Sequence, residues 1–186
     1  RQTKPVTPIS NRLLPNILKG QKTKKSNLDA LAALFTKINK SNGNNRIVST
    51  IDLVDEKNLD PENSLLYFNR GTIYDQEGQL ENAEKDYLMA IELDPSSFGS
   101  NYNLGALFFN KAVELNNSAN STSDDKKYKS LKKQADNFFD KALPYLESAY
   151  TLNSKDKNTL LSLKQLYYMK GDYKKSDEMK KIISEL

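Results

Sequence analysis

Residues 64–97 read SLLYFNRGTIYDQEGQLENAEKDYLMAIELDPSS, and the spacing inside this stretch decides how the chain is organised. Tyr67, Gly71 and Tyr74 recur at intervals of three and four, which puts them on one face of a helix, and Ala83, Tyr87 and Ala90 do the same for a second helix. Gly78 between them can turn the chain back, and Pro95 after them cannot continue a helix. Small residues at Gly71, Ala83 and Ala90 let two antiparallel helices approach closely, while the tyrosines fill the volume beside them. One residue departs from the pattern: Arg70 stands where a leucine is expected.

The same slots recur downstream. A unit starting at Phe98 carries Leu104, Gly105 and Phe108 in its first helix, but its second helix arrives 25 residues late as KALPYLESAYTLNSKD, with Ala142, Leu146 and Ala149 in place. A third unit starts in phase at Lys157, with Leu160, Leu163 and Tyr167, a turn at Gly171 and a second apolar face of Met179, Ile182, Ile183 and Leu186. Ser176, Lys180 and Ser184 make that last helix polar where the others are small or aromatic, as the end of an array requires. Upstream, Leu28, Leu31 and Phe35, then Ile47, Ile51 and Val54 before Pro61, form a weaker pair in which Ser49 and Glu56 replace the small residues.

The pattern resembles the tetratricopeptide repeat (TPR), a helix-turn-helix unit of 34 residues. The resemblance implies an all-α fold, an α-solenoid of antiparallel helix pairs. The expected organisation is a basic, extended arm at 1–26, a degenerate repeat at 27–63, a repeat at 64–97, a repeat with a 25-residue insertion at 98–156, and a capping repeat at 157–186.

The insertion contains NNSANSTSDDKKYKS at 116–130, flanked by apolar stripes: Phe108, Ala112 and Leu115 before it, and Tyr128, Leu131, Ala135 and Phe138 after it. These stripes predict that both helices continue past their usual ends into a projecting hairpin with a tip at 116–125 and an N-cap at Ser123 or Asp124. About twelve extra residues per helix would project roughly 18 Å. Pro144 should release the carbonyl of Asp140 and bend the returning helix. The sequons at Asn116 and Asn120 read first as a polar turn.

Composition narrows the function classes. The chain of 186 residues contains no Cys, His or Trp, which removes the usual thiol nucleophile, the imidazole base and the soft metal ligands. Acidic pairs such as Glu81 and Glu84 or Asp124 and Asp125 have no phosphate loop or calcium-loop spacing beside them, so the expectation is no enzyme, no cofactor, no metal and no small-molecule substrate. The net charge of +4 is uneven. Residues 1–26 carry seven Lys or Arg and no acid, leaving 21 basic against 24 acidic residues elsewhere. The arm could therefore meet an acidic, lipid or nucleic-acid surface, with a solvated linker as the plain alternative.

The TPR resemblance implies a protein or peptide partner held in a groove lined by the first helix of each unit. The corresponding positions are Phe68, Asn69, Thr72 and Asp75, then Tyr102, Asn103, Ala106, Phe109 and Asn110, then Leu161, Gln165, Tyr168 and Met169. Of the positions that form a two-carboxylate clamp in chaperone-binding members, Phe68, Thr72, Asn103, Asn158 and Ser162, only Asn103 matches, so a chaperone-tail adaptor is not expected. The KALPYLE, KQLY and MKGDY segments are similar to those of bacterial cell-envelope TPR proteins. That similarity implies an accessory subunit of an envelope assembly, on the periplasmic side, with a cytoplasmic location as the alternative.

Overall fold

The structure is a computed structural model and describes residues 63–186. The expected arm at 1–26 and all but the last residue of the expected pair at 27–63 lie outside the described residues. Six helices follow one another: α1 Ser64–Gln76, α2 Leu80–Leu93, α3 Phe98–Asn120, α4 Asp125–Leu152, α5 Lys157–Met169 and α6 Tyr173–Ser184. They pair as α1 with α2, α3 with α4 and α5 with α6, and the pairs stack through α2 on α3 and α4 on α5. The first helices α1, α3 and α5 also touch in series, whereas α2, α4 and α6 do not, so the solenoid curves toward its first helices.

Local chemistry sets the helix starts. Asn63 accepts a hydrogen bond from the Leu65 amide at 3.1 Å, Asp156 from Thr159 at 2.7 Å and Asp172 from Lys175 at 3.0 Å. Each satisfies an amide that has no partner within its own helix, a contribution of about 1 kcal/mol. The helix ends explain why one unit is longer than the rest. Gly78 (φ 74°) and Gly171 (φ 80°) occupy the same slot after α1 and α5 and adopt the left-handed conformation that reverses the chain. In the middle unit that slot holds Ala112, buried inside α3, and without a glycine the helix continues.

The hairpin is therefore built from continuous helix. α3 has 23 residues against 13 in α1 and in α5, an excess worth about 15 Å of length. The tip is shorter than the sequence suggests: Asn116 to Asn120 stay helical, and only Ser121 to Asp124 form the turn. Asn116 is buried and accepts from the Lys132 ammonium across the hairpin, and Ala119 is fully buried, so packing extends almost to the end. A buried Asn116 is no polar turn. Asp124 is the N-cap of α4, accepting from Lys126 at 2.8 Å and Lys127 at 3.0 Å. On α4 the contact stripe centres on Ala135 and Phe139, with Phe138 and Leu131 at its edge and Tyr128 exposed. α4 is continuous through Pro144.

The core follows the small-residue slots. A Cβ on Gly71 would meet the Tyr87 ring at 3.0 Å, and one on Gly105 would meet Leu146 Cγ at 2.7 Å, so both positions mark the closest approach within a pair. The third unit has Lys164 in this slot and closes its pair instead through the Ser176 hydroxyl, which donates to the Lys164 carbonyl at 2.9 Å. Arg70 is explained by a partner that the spacing hides. Its guanidinium forks onto Asp86, with Nε to Oδ2 and Nη2 to Oδ1 both at 2.6 Å, and lies 5.6 Å and 5.9 Å from the centres of the Tyr67 and Tyr74 rings. An ion pair thus replaces the usual leucine between α1 and α2.

Candidate partner-binding surface

The inner surface is laid down by α1, α3 and α5, and its three parts differ in accessibility. On α1, Phe68 is buried and tilted against Tyr87 with ring centres 6.1 Å apart, while Asn69, Thr72 and Asp75 are half-buried. The Thr72 hydroxyl donates to the Phe68 carbonyl at 2.9 Å and receives a long contact of 3.4 Å from the Tyr87 hydroxyl.

On α3 the expected groove residues are core residues. Tyr102, Asn103, Ala106 and Phe109 have no exposed surface, and only Asn110 is half-buried. Tyr102 stacks on Phe98 at 6.1 Å and its hydroxyl is hydrogen-bonded to Ser162 of α5; Phe109 packs edge-on against Phe139 at 5.5 Å. Replacing Tyr102 and Phe109 by alanine therefore cannot be expected to leave the helices undisturbed, because both side chains fill the space between helices. The physical reason is neighbour number: a middle first helix is enclosed by its own partner and by the first helices on both sides.

Asn103 stands apart within this core. Its Nδ2 donates to the Tyr87 hydroxyl at 3.4 Å, whereas its Oδ1 is buried and accepts from no donor among the described residues. Burial pushes the Tyr87 hydroxyl up from its ordinary range and the Asp75 carboxylate adds to this; burial does the same to Tyr102. Both are neutral at physiological pH.

On α5 the expected residues are open. Leu161 is 39% exposed and Tyr168 61%, with Gln165 and Met169 half-buried beside them. Tyr173, at the start of α6, is also 61% exposed and meets Tyr168 edge-on at 5.5 Å. The sequence reading missed Tyr173, although the segment MKGDY places it two residues after the turn glycine. Tyr167 points the other way. Its hydroxyl donates to Glu147 Oε1 at 2.7 Å, and Lys175 lies over its ring at 4.9 Å and 3.6 Å from the same carboxylate, which locks α5 and α6 onto α4.

Among the described residues no group of His, Cys, Asp or Glu side chains is arranged to hold a metal ion, and no helix is long and apolar enough to cross a membrane. What the surface offers is shape and apolar contact, with amide and hydroxyl groups at its margin.

The comparisons agree with this architecture. The family model for the tetratricopeptide repeat matches residues 64–97. No curated protein matches the sequence. Among solved structures, a monomeric mutant of IFIT1 with Gppp-AAAA is similar in fold, with a TM-score of 0.56 at 15% identity over 64% of this chain. This chain spans only 25% of that structure, and the likeness is one of fold. The chain thus carries a tetratricopeptide repeat at 64–97, set in an all-helical α-solenoid of the kind TPR proteins form.

Proposed function

We propose that this chain is a non-enzymatic scaffold that holds a segment of a partner protein against the first helices of its solenoid. A tetratricopeptide repeat is a protein-interaction module, and the observation that carries the reading here is the uncovered apolar surface of α5, with Leu161 and Tyr168 open beside an otherwise closed core. The finer reading is an accessory subunit of a bacterial envelope or outer-membrane assembly, facing the periplasm. Its support is the similarity of KALPYLE, KQLY and MKGDY to segments of envelope TPR proteins.

Crosslinking of amines in native cells followed by mass spectrometry tests both levels. The scaffold reading expects one recurrent protein partner joined to Lys157 or Lys164 of α5 or to Lys170 at its end, and the finer reading expects that partner to be an envelope protein. A partner joined only through residues 1–26 would overturn both. The basic arm supports a second reading, targeting to a lipid or nucleic-acid surface, because seven cations stand there without an acid. Binding to anionic vesicles or nucleic acid that falls steeply with salt, and is lost on deleting 1–26, is its signature.

A further inference from the structure

We infer that the far half of the α3–α4 hairpin is a contact for an anionic lipid surface, carried by Lys126, Lys127, Lys129 and Lys133 with Tyr128 among them. The inference goes beyond the scaffold reading and uses neither the inner surface of the solenoid nor the basic arm.

The lysines are concentrated where α4 has left the solenoid. α4 has 28 residues against 14 in α2, and Ala142 occupies the slot of Ala83, so 125–138 is the extension. Five lysines fall within residues 126–133 and no acid does, although acids outnumber bases over 27–186 as a whole. The Lys132 ammonium is taken up by Asn116 across the hairpin. The other four are exposed and form no ion pair among the described residues; Asp125 and Asp136 stand one turn from Lys129 and Lys133 without pairing to them. Their placement opposes helix stability. Lys126 and Lys127 stand in the first turn, where the macrodipole favours acids, and Lys126, Lys129 and Lys133 follow at spacings of three and four as like charges. A solvated helix face usually alternates sign at that spacing. This one segregates it, with Asp136 and Asp140 continuing the same line toward the solenoid.

The kind of surface follows from shape and residue type. The line from Lys126 to Lys133 runs about 10 Å along α4, on the side turned away from Ala135 and Phe139, which pack toward α3. It is convex and open, which suits a broad surface and not a ligand in a pocket. Lysine is a mobile point charge, and no arginine follows Arg70 in the chain to fork onto a phosphate or a base edge. One exposed ring gives no stacking platform for a nucleic acid, and docked protein surfaces are depleted in lysine. A lipid surface fits both features: acidic headgroups attract clusters of about four to eight lysines, and a tyrosine settles at the interface with its ring toward the acyl chains and its hydroxyl in water. Tyr128 is 40% exposed near the end of the hairpin. The basic arm cannot neutralise the patch, since it carries no acid.

The chain contains no tryptophan, so Tyr128→Trp places a single fluorescent reporter near the tip of the full chain. Vesicles of phosphatidylcholine with about 30% phosphatidylglycerol should shift its emission to the blue, and vesicles of phosphatidylcholine alone should not. The shift should fade as sodium chloride rises from about 0.05 to about 0.5 M. Each lysine near such a surface is worth about fivefold in binding, so replacing Lys126, Lys127, Lys129 and Lys133 together by Gln should weaken vesicle binding at least about tenfold. All four are exposed, so the variant should keep its circular dichroism spectrum and thermal midpoint. An unshifted tryptophan overturns the inference even where the chain sediments with the vesicles, because the contact then lies elsewhere, on the arm above all. Since the full chain is used, lysines covered by its own acidic residues would give the same refuting signal. A quadruple variant that binds as tightly as the parent also overturns it, and so does an oligonucleotide that displaces the vesicles from the tip, which assigns the patch to nucleic acid. None of these outcomes touches the scaffold reading, which is tested at α5.

Discussion

Removing the Asp86 carboxylate tests how the chain tolerates an arginine in a slot built for leucine. Arg70 and Asp86 are joined by two contacts of 2.6 Å, and their side chains are only 11% and 6% exposed. Two charge-assisted hydrogen bonds are worth about 1.5–3 kcal/mol each, and breaking a buried pair from one side costs about 3–5 kcal/mol because a charge is left in the interior. The Tyr67 and Tyr74 rings continue to face the guanidinium, which places Asp86→Ala in the lower half of that range, about 3–4 kcal/mol. In a chain of this size the thermal midpoint should fall by about 10 °C. The double variant Arg70→Leu with Asp86→Leu restores an apolar contact between α1 and α2 and should return to within about 1 kcal/mol of the parent. Urea titration followed by circular dichroism at 222 nm measures both variants against the parent. A loss below about 1 kcal/mol for Asp86→Ala, or a double variant no better than the single, would refute the reasoning.

Three further outcomes are expected. Gly105→Ala should destabilise by about 1–3 kcal/mol in the same titration, since the added methyl would stand 2.7 Å from Leu146 Cγ; a neutral result means that α3 and α4 are not that close. Replacing residues 113–137 by a short turn should leave a cooperative, helical chain, because Phe109 on Phe139 and Gly105 on Leu146 both lie below the cut; loss of all cooperative unfolding shows that the hairpin belongs to the core. Tyr87, Tyr102 and Tyr167 are all held above the ordinary tyrosine range, burial being the largest cause in each. Folding thus favours their neutral form, a contribution fully present below the unfolded value near 10 and lost as pH rises beyond it. Ultraviolet titration at 295 nm should show these three ionising only as the fold is lost.

Much of the fold is legible in the one-dimensional pattern because helix pairing depends on short-range spacing. Gly71 and Ala83 announce close approach, Gly78 and Gly171 announce turns, and the unbroken stripes through Ala112 and Ala135 announce longer helices. The tip was harder to place, since Asn116 reads as polar and turn-forming until Lys132 is brought across from the other arm of the hairpin. Arg70 looked anomalous for a related reason. Asp86 lies on the buried stripe between Ala83 and Ala90, so the signal was present, but only the approach of two helices pairs the charges.

The candidate surface shows where that legibility ends. Repeat spacing assigns Tyr102, Phe109, Leu161 and Tyr168 to one class, because each occupies an inner-face slot of a first helix. Local periodicity records which way a side chain faces on its own helix and nothing about what stands opposite. Ser162 of α5 closes over Tyr102 and Phe139 of α4 over Phe109, whereas Leu161 and Tyr168 stay open. The sequence alone thus specifies the helices, their turns and the identity of the inner face, all set by contacts between near neighbours in the chain. Accessibility is settled by neighbours distant in sequence, and so only the tertiary structure separates the inner-face residues that hold the solenoid together from those left exposed.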